Sequence, residues 1–385
     1  MFYVRGRIVT PKDVFPGFVR IEGERITGID TKAADIGKVY DFGSWLVLPG
    51  FIDMHLHGVG EHTIFDMNSI TGAAFEQIRH GTTGFLPAAA SVSEERYIEF
   101  GRNVRQAQQR WKGGCARIFG AEFEGPFINP EYKGGMNARY LRPMDTAECT
   151  RYIDAVGDVL RVMTLSPELP NSQEVIRYLA GHNITVSAGH SCADEDEICS
   201  AIAAGLSNVC HLFNTFLRPA DIESGRIDKA VVEKLLADER LSCQVICDMH
   251  HVLPQWVKFA IGLLSPNRFI AVTDSMAGAG LAGGEYMMTN GRKFTTKNGT
   301  ARLVADGTLV GSVITMNHVF ANLIEKCDVS LCDAARFTST NPARVLKVDG
   351  EIGSIESTRR ADLAVLDSKY NCVSTFIDGK IVYSN

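Results

Sequence analysis

The sequence lacks the features that mark membrane, nucleic-acid-binding and disulfide-stabilised proteins. No run of about 18 apolar residues is present, so a transmembrane helix is not expected. Lys and Arg number 39 against 45 Asp and Glu, and the resulting net charge of −6 argues against a nucleic-acid partner, because phosphate backbones require a basic face. The ten cysteines form no CxxC pair, and the amino terminus has no apolar signal-peptide core. These absences predict a cytoplasmic protein whose partner is a small molecule.

The composition is that of a globular protein with an ordinary core. Of 385 residues, 45% are hydrophobic and 22% are charged, which suits one large domain and one small one. Short strand patterns separated by turn formers occupy both chain ends, at residues 5–9, 17–21, 25–29, 362–366, 375–377 and 380–383. Asp378-Gly379 is a hairpin-turn signal between the last two patterns. We expect the two ends, residues 1–48 and 348–385, to pair into one small β-sandwich domain.

The middle of the chain alternates apolar strand patterns with amphipathic helical ones. Eight strand candidates end near residues 55, 87, 124, 166, 190, 211, 248 and 274, and residues 194–204 and 228–237 show helical periodicity. Eight such units in about 300 residues predict an α/β fold with a TIM (β/α)8 barrel over residues 49–347. A doubly wound open sheet is the alternative, but no GxGxxG follows the first strand.

Most of these strand candidates end in a residue capable of metal or acid–base chemistry. His55, Glu124, His190, His211 and Asp274 occupy such positions. In a TIM barrel the active site lies at the carboxyl ends of the strands, so the fold would bring these distant residues together.

Each of these residues also has an ordinary explanation when taken alone. His55 and His57 share one face of a strand, which suits a metal site but also a polar strand end. Glu124 could be a solvated acid, and a lone histidine is more often a core residue than a ligand. Together they form the nitrogen and oxygen ligand set expected for zinc or iron. Asp274, at the mouth of a buried strand, is suited to accept a proton from water and pass it to a leaving amine.

Specific motifs resemble the amidohydrolase superfamily, and within it the N-acetylglucosamine-6-phosphate deacetylases. Residues 49–58, PGFIDMHLHG, are similar to the opening motif of the superfamily. The narrower resemblance rests on further segments, which are EGPFI at 124–128, GHS at 189–191, HLFN at 211–214, VTDSM at 272–276, GSVITM at 311–316 and NPA at 341–343. The resemblance covers essentially the whole chain.

The resemblance implies roles for individual residues. Glu124, His190 and His211 would bind the principal divalent ion, while His55 and His57 would add a second ion bridged by Glu124. Asp274 matches the catalytic aspartate of the family. Matches to substrate-contacting positions are Asn214, Arg226, His251 and, with a changed side chain, Met136. A homodimer acting on an amino-sugar phosphate is implied.

The chain departs from the family pattern near the substrate. The family usually has a histidine where this chain has Glu122, and another where it has Met136. The family's Asn-Ala-Met reads Asn214-Thr215-Phe216 here. A hydrogen-bonding site discriminates sharply when one partner changes, so deacetylation is better supported than the identity of the sugar.

Three alternatives remain open from the sequence. One is the galactosamine epimer of the substrate. Another is cyclic amide hydrolysis as in dihydroorotase-like enzymes, although these often use a modified lysine where this chain reads Ser166-Pro167-Glu168. The third is a catalytically dead binding protein, which would typically have lost metal ligands that this chain retains.

Overall fold

A computed structural model describes residues 1–32, 37–214 and 234–385. Its centre is a parallel barrel of eight strands that are hydrogen-bonded in chain order. The barrel strands are β5 (Phe51–Leu56), β8 (Thr82–Ala90), β10 (Ala121–Glu124), β11 (Leu160–Leu165), β12 (Thr185–Ala188), β13 (Leu206–Val209), β14 (Ser242–Ile246) and β15 (Phe269–Val272). The predicted TIM barrel is therefore confirmed.

The first and last barrel strands close the barrel through backbone contacts at their carboxyl ends. The Asp274 N–H donates to the His55 carbonyl at 3.0 Å, and the His57 N–H donates to the Ser275 carbonyl at 2.7 Å. These bonds hold the residues after β15 against the histidine pair at the carboxyl end of β5. The closure thus places Asp274 beside His55 and His57.

Helices cover the barrel strands on the outside. In the described residues they are α1 (Met67–Gln77), α2 (Glu94–Arg110), α3 (Thr146–Val156), α4 (Ser172–Gly181), α5 (Glu195–Ala204), α6 (Pro254–Leu263), α7 (Met316–Glu325), α8 (Leu331–Ala335) and α9 (Asn341–Val345). A π-helix spans Arg336–Thr340, and 3₁₀ turns span Ile78–His80, Pro130–Tyr132, Ala138–Tyr140 and Gly157–Val159.

The helix predicted at residues 194–204 is present and begins at a capping box. Asp194 accepts from the Glu197 N–H, and the Glu197 side chain accepts from the Asp194 N–H, which satisfies two of the free donors of the first turn. The second predicted helix, 228–237, falls mostly outside the described residues, and residues 234–237 are helical.

The two chain ends form one β domain, as predicted. Its seven strands are ordered β22-β21-β20-β4-β1-β2-β3. Their bounds are β1 (Phe2–Val9), β2 (Val14–Glu22), β3 (Arg25–Asp30), β4 (Lys38–Pro49), β20 (Leu363–Leu366), β21 (Cys372–Ile377) and β22 (Lys380–Ser384). A hydrophobic core that includes Val4, Val47, Val365 and Phe376 joins strands from both ends of the chain. The proposed domain boundaries are residues 48/49 and 347/348. β4 pairs within this sheet as far as Pro49, one residue beyond the first of these boundaries, and the barrel begins at β5.

A small antiparallel sheet follows the last barrel strand and was not predicted. It contains β16 (Gly284–Met287), β17 (Lys293–Lys297), β18 (Thr300–Leu303) and β19 (Leu309–Ser312). The Ser312 N–H donates to the Asp274 carbonyl at 2.8 Å, so this insert docks at the carboxyl end of β15. Shorter strands are β6 (Gly58–Val59) with β7 (His62–Thr63), and β9 (Arg117–Ile118), which pairs with β8.

No helix in the described ranges has both the length and the apolar character that a bilayer crossing requires.

Candidate metal centre and active site

Six polar side chains from five barrel strands meet at the carboxyl end of the barrel. Glu124 is the last residue of β10, and each of the others lies at the end of its strand or within two residues beyond it. All six are buried or nearly so, with His57 the most exposed at 16% of its side chain. They are His55, His57, Glu124, His190, His211 and Asp274, the six residues that the sequence proposes for the chemistry.

The Nε2 atoms of the four histidines converge on the two carboxylates. His190 Nε2 lies 2.9 Å and His211 Nε2 lies 3.1 Å from Glu124 Oε1. His57 Nε2 lies 3.3 Å from the other oxygen of Glu124 and 3.5 Å from Asp274 Oδ1. His55 Nε2 lies 3.6 Å from Asp274 Oδ1. Glu124 therefore stands between the two pairs of imidazoles.

The Nδ1 atoms of the same four rings point outward to hydrogen-bond acceptors. Those of His57, His190 and His211 contact the backbone carbonyls of Ala88 at 3.1 Å, Tyr132 at 2.9 Å and Asn214 at 3.3 Å. His55 Nδ1 instead contacts the Glu122 carboxylate at 2.8 Å. An acceptor at Nδ1 fixes the proton on that nitrogen and leaves the Nε2 lone pair free to bind a metal ion.

This arrangement fits a divalent metal ion. The Nε2 atom of His55 is buried and, among the described residues, has no hydrogen-bond partner. Such an unpaired polar atom is costly unless something binds it. The ligand atoms of His55, His57 and Asp274 lie within 4.8 Å of one another, as do those of a second group containing His55, Glu124 and His211. Nitrogen and carboxylate donors at this spacing are the set that zinc and iron prefer.

The electrostatics of the cluster are those of a cation site. Burial raises the pKa of Glu124, but contacts with His190, His211 and His57 outweigh it and hold that pKa well below its usual value. For Asp274, burial raises the pKa, but His55, His57 and His211 outweigh burial and hold the pKa below its usual value, so the carboxylate is ionised at neutral pH. Two buried anions facing four imidazoles call for a positive charge between them.

Three of the six residues have a backbone conformation that is rare for side-chain-bearing residues. The φ angles are +54° at His190, +23° at His211 and +47° at Asp274. Non-glycine residues with positive φ are strained, and such strain concentrates at functional sites. Here it turns each side chain inward just after its strand ends.

A cleft that is open to solvent lies over the cluster. Met136 and Asn214, both proposed from the sequence as substrate-binding, are among its lining residues. The insert contributes Met288, Thr289 and Val310 to the same wall. The cleft thus combines a polar floor with a partly apolar wall.

The remaining two positions that the sequence proposes are His251 and Arg226. His251 has a buried side chain whose Nδ1 lies 2.6 Å from Asp248 Oδ2, and it does not line the described part of the cleft. Arg226 lies outside the described residues.

Two neighbours of the metal centre gain significance only from the structure. Glu122, noted in the sequence as a departure, is fully buried and contacts His55. Cys210 has its Sγ 3.8 Å from His55 Nδ1. The sequence signal for Glu122 was its spacing of two from Glu124, which puts both on one strand face. For Cys210, only its position next to His211 was visible.

Comparison with known proteins agrees with this geometry. The amidohydrolase family model matches residues 223–382. The N-acetylglucosamine-6-phosphate deacetylase of Bacillus subtilis (strain 168) is 30% identical over 393 residues, covering 98% of this chain and 95% of that protein. The chain belongs to the N-acetylglucosamine-6-phosphate deacetylase family.

Two further relatives delimit that assignment. The N-acetylgalactosamine-6-phosphate deacetylase of Escherichia coli O157:H7 is 29% identical, with 87% of each chain covered. The solved structure of the Mycobacterium smegmatis N-acetyl-D-glucosamine-6-phosphate deacetylase, in complex with that sugar phosphate, has a TM-score of 0.91 at 26% identity. It covers 100% of this chain and 99% of that one.

Family membership makes the protein a hydrolase of carbon–nitrogen amide bonds in a metal-dependent family. The cyclic-amide alternative is disfavoured. β11 ends at Leu165, and the three residues that follow, Ser166, Pro167 and Glu168, include no lysine. A binding protein without activity is disfavoured by the intact convergence of all six residues.

Proposed function

We propose that the protein hydrolyses the N-acetyl amide of N-acetylglucosamine-6-phosphate, releasing acetate and glucosamine-6-phosphate. The observation that carries the proposal is the convergence of four histidine Nε2 atoms on Glu124 and Asp274 at the mouth of the barrel. The names of the relatives support the substrate class.

The proposed cofactor is zinc or iron. Glu124, His190 and His211 would hold one ion, and His55 and His57, with Glu124 between, would hold a second. A bound divalent ion supplies Lewis acidity, which lowers the pKa of water and polarises an amide carbonyl.

Asp274 is the proposed acid–base residue. Its carboxylate is ionised at neutral pH and faces the cleft floor, so it can accept a proton from the attacking water. The same carboxyl group would then deliver that proton to the nitrogen of the leaving amine.

Substrate orientation is proposed for residues above the metal centre. Met136 and Asn214 line the cleft and would contact the sugar. On the strength of the sequence resemblance, Asn214 and Arg226 are proposed to lie near the sugar phosphate, and His251 is proposed to contact the substrate.

Acetate release from a small panel tests the proposal. The zinc-loaded protein would be assayed with N-acetylglucosamine-6-phosphate, its galactosamine epimer and both unphosphorylated sugars. Fast turnover of the glucosamine phosphate supports the proposal, whereas zinc binding without acetate release from any member of the panel contradicts it. Preference for the galactosamine phosphate would favour the second candidate, which the relative from Escherichia coli O157:H7 supports.

We also propose a homodimer in a reducing compartment such as the cytosol. All ten cysteines are free, which suits a reducing environment. Leu253, Phe259 and Leu263, on and next to α6, are 43–49% exposed and would suit a contact between copies. Light scattering on the purified protein measures its mass, and a monomer at micromolar concentration would contradict the dimer.

A further inference from the structure

The carboxylate of Glu122 lies directly behind the metal centre. Glu122 is fully buried on β10, two residues before Glu124, so both side chains leave the same face of the strand. Its Oε2 accepts from His55 Nδ1 at 2.8 Å, and its Oε1 accepts from the Thr164 hydroxyl at 2.7 Å. Both oxygens are therefore engaged, and the carboxylate has one defined orientation.

His55 differs from the other three histidines in the charge of its acceptor. The others donate Nδ1–H to neutral backbone carbonyls. Only His55 among these four donates to a carboxylate. A charged acceptor makes the hydrogen bond stronger and pushes electron density toward Nε2, so the ring becomes a better metal ligand.

The burial of Glu122 also needs a compensating positive charge. A carboxylate in a dry interior is costly unless it is paired, and hydrogen bonds from a neutral imidazole and a hydroxyl supply no positive charge. The described side chains in contact with it, His55 and Thr164, include no lysine or arginine. A cation on the far side of the His55 ring, at the unpartnered Nε2, would supply that charge through the ring.

We propose that Glu122 is a positioning residue that orients His55 and strengthens metal binding at the His55/His57 pair, so that this second position holds an ion. The proposal deepens the proposed metal-dependent function and rests on it. It predicts two ions per chain, whereas without it the histidine pair could stand beside a single ion held by Glu124, His190 and His211.

The test is a zinc titration of the chelator-stripped full-length protein. Zinc equivalents would be counted by mass spectrometry after dialysis, and the affinity of each equivalent would be measured by competition with a chromophoric chelator. The decisive variant is Glu122→Gln, because its amide oxygen can still accept from His55 Nδ1 and its amide nitrogen can donate to the Thr164 hydroxyl. The variant therefore removes the charge and reverses only the bond to Thr164. The matched control is Glu168→Gln, which neutralises a carboxylate bonded to Ser191 and Asn129 that touches none of the six site residues.

We expect two zinc equivalents in the wild type and in Glu168→Gln. In Glu122→Gln one equivalent should weaken by about 10- to 100-fold, the usual effect of losing such an outer partner, while the other is unchanged. If each zinc equivalent binds Glu122→Gln with the same affinity as it binds the wild type, the proposal is overturned and the metal-dependent function stays intact. A wild type that binds only one zinc equivalent would also overturn the proposal. A wild type that binds no zinc would overturn the proposed function itself.

A second variant guards against a folding defect in the first. Thr164→Val removes the hydroxyl that holds Oε1 of Glu122 but leaves the negative charge in place. It should weaken the same zinc equivalent by a smaller factor than Glu122→Gln does. A loss confined to the other equivalent would contradict the assignment of Glu122 to His55.

Discussion

Replacing Asp274 by Asn should abolish turnover while leaving the metal centre assembled. Asn has the shape of Asp and keeps its place at the end of β15, but it cannot accept a proton at neutral pH. The variant leaves the four histidines and Glu124, which supply the other ligand atoms, unchanged. None of the hydrogen bonds made by the Nδ1 atoms of the four histidines involves Asp274. The variant therefore separates proton transfer from metal binding.

The size of the loss follows from the role of the residue. Positioned general acid–base groups contribute about 10²- to 10⁴-fold, and Asp274 would serve in both proton transfers. Since tenfold in rate is 1.36 kcal/mol, a loss near 10³-fold corresponds to about 4 kcal/mol of transition-state stabilisation. Because the Asp274 carboxylate is not assigned to hold the sugar, the loss should fall on kcat, with KM changed little.

Acetate release under saturating substrate measures kcat, and zinc content is measured on the same sample. The control is Asp367→Asn, the same chemical change in a turn where Asp367 bonds Asn371 and Lys369. It should retain wild-type activity. An Asp274→Asn protein with zinc bound and more than about a tenth of the wild-type kcat would refute the acid–base role.

Three further predictions concern substrate contact, domain packing and pH. Met136→Ala should lower kcat/KM by about tenfold without changing zinc content. The variant removes three buried side-chain atoms and with them about 1.4 kcal/mol of contact with the substrate. Unchanged steady-state kinetics would contradict this prediction. Arg117→Met should lower the free energy of unfolding in urea by about 3–5 kcal/mol. Arg117 Nε lies 3.0 Å from the buried Asp362 of the β domain, and the variant leaves that carboxylate with the Asp378 N–H but without its cation. An unchanged urea midpoint would argue against this ion pair. In the metal-free protein, burial lowers the pKa of both His55 and His211. Contacts outweigh burial and raise both pKa values above 6.5, with Glu122 the leading contact for His55 and Cys210 the leading contact for His211. The stability that these protonated rings contribute is complete below pH 6.5 and is lost as the pH rises through their folded pKa values. Zinc replaces those protons, so the difference in Tm between zinc-loaded and stripped protein should widen above pH 6.5. A Tm difference that calorimetry finds constant with pH would contradict this linkage.

Much of the architecture could be predicted because it depends on short-range patterns. The β-rich ends, the Asp378-Gly379 turn and the helix that starts at Asp194 are all written in adjacent residues. The four-stranded insert over residues 284–312 was missed. Its strands are only four or five residues long, and β16 has no alternating burial. Strands that short carry little periodic signal.

The candidate site was predictable for a different reason. His55, Glu124, His190, His211 and Asp274 end separate strand patterns, and a parallel barrel brings the carboxyl ends of its strands to one face. Identifying the fold was therefore enough to gather residues more than 200 positions apart. The roles assigned to them stay proposals until the variants are measured.

The sequence by itself determined the barrel, the terminal β domain and the six residues at the strand ends, since hydrophobic periodicity and local turn chemistry are properties of neighbouring residues. Only the tertiary structure decided which atom of each histidine faces the centre, because that depends on acceptors supplied by distant strands and loops. Ala88 and Tyr132 fix the Nδ1 atoms of His57 and His190 from other elements. The tertiary structure also decided the contact made by Glu122. In the sequence this residue is only a departure from a motif, whereas the barrel brings β10 and β5 together and places its buried carboxylate against Nδ1 of His55.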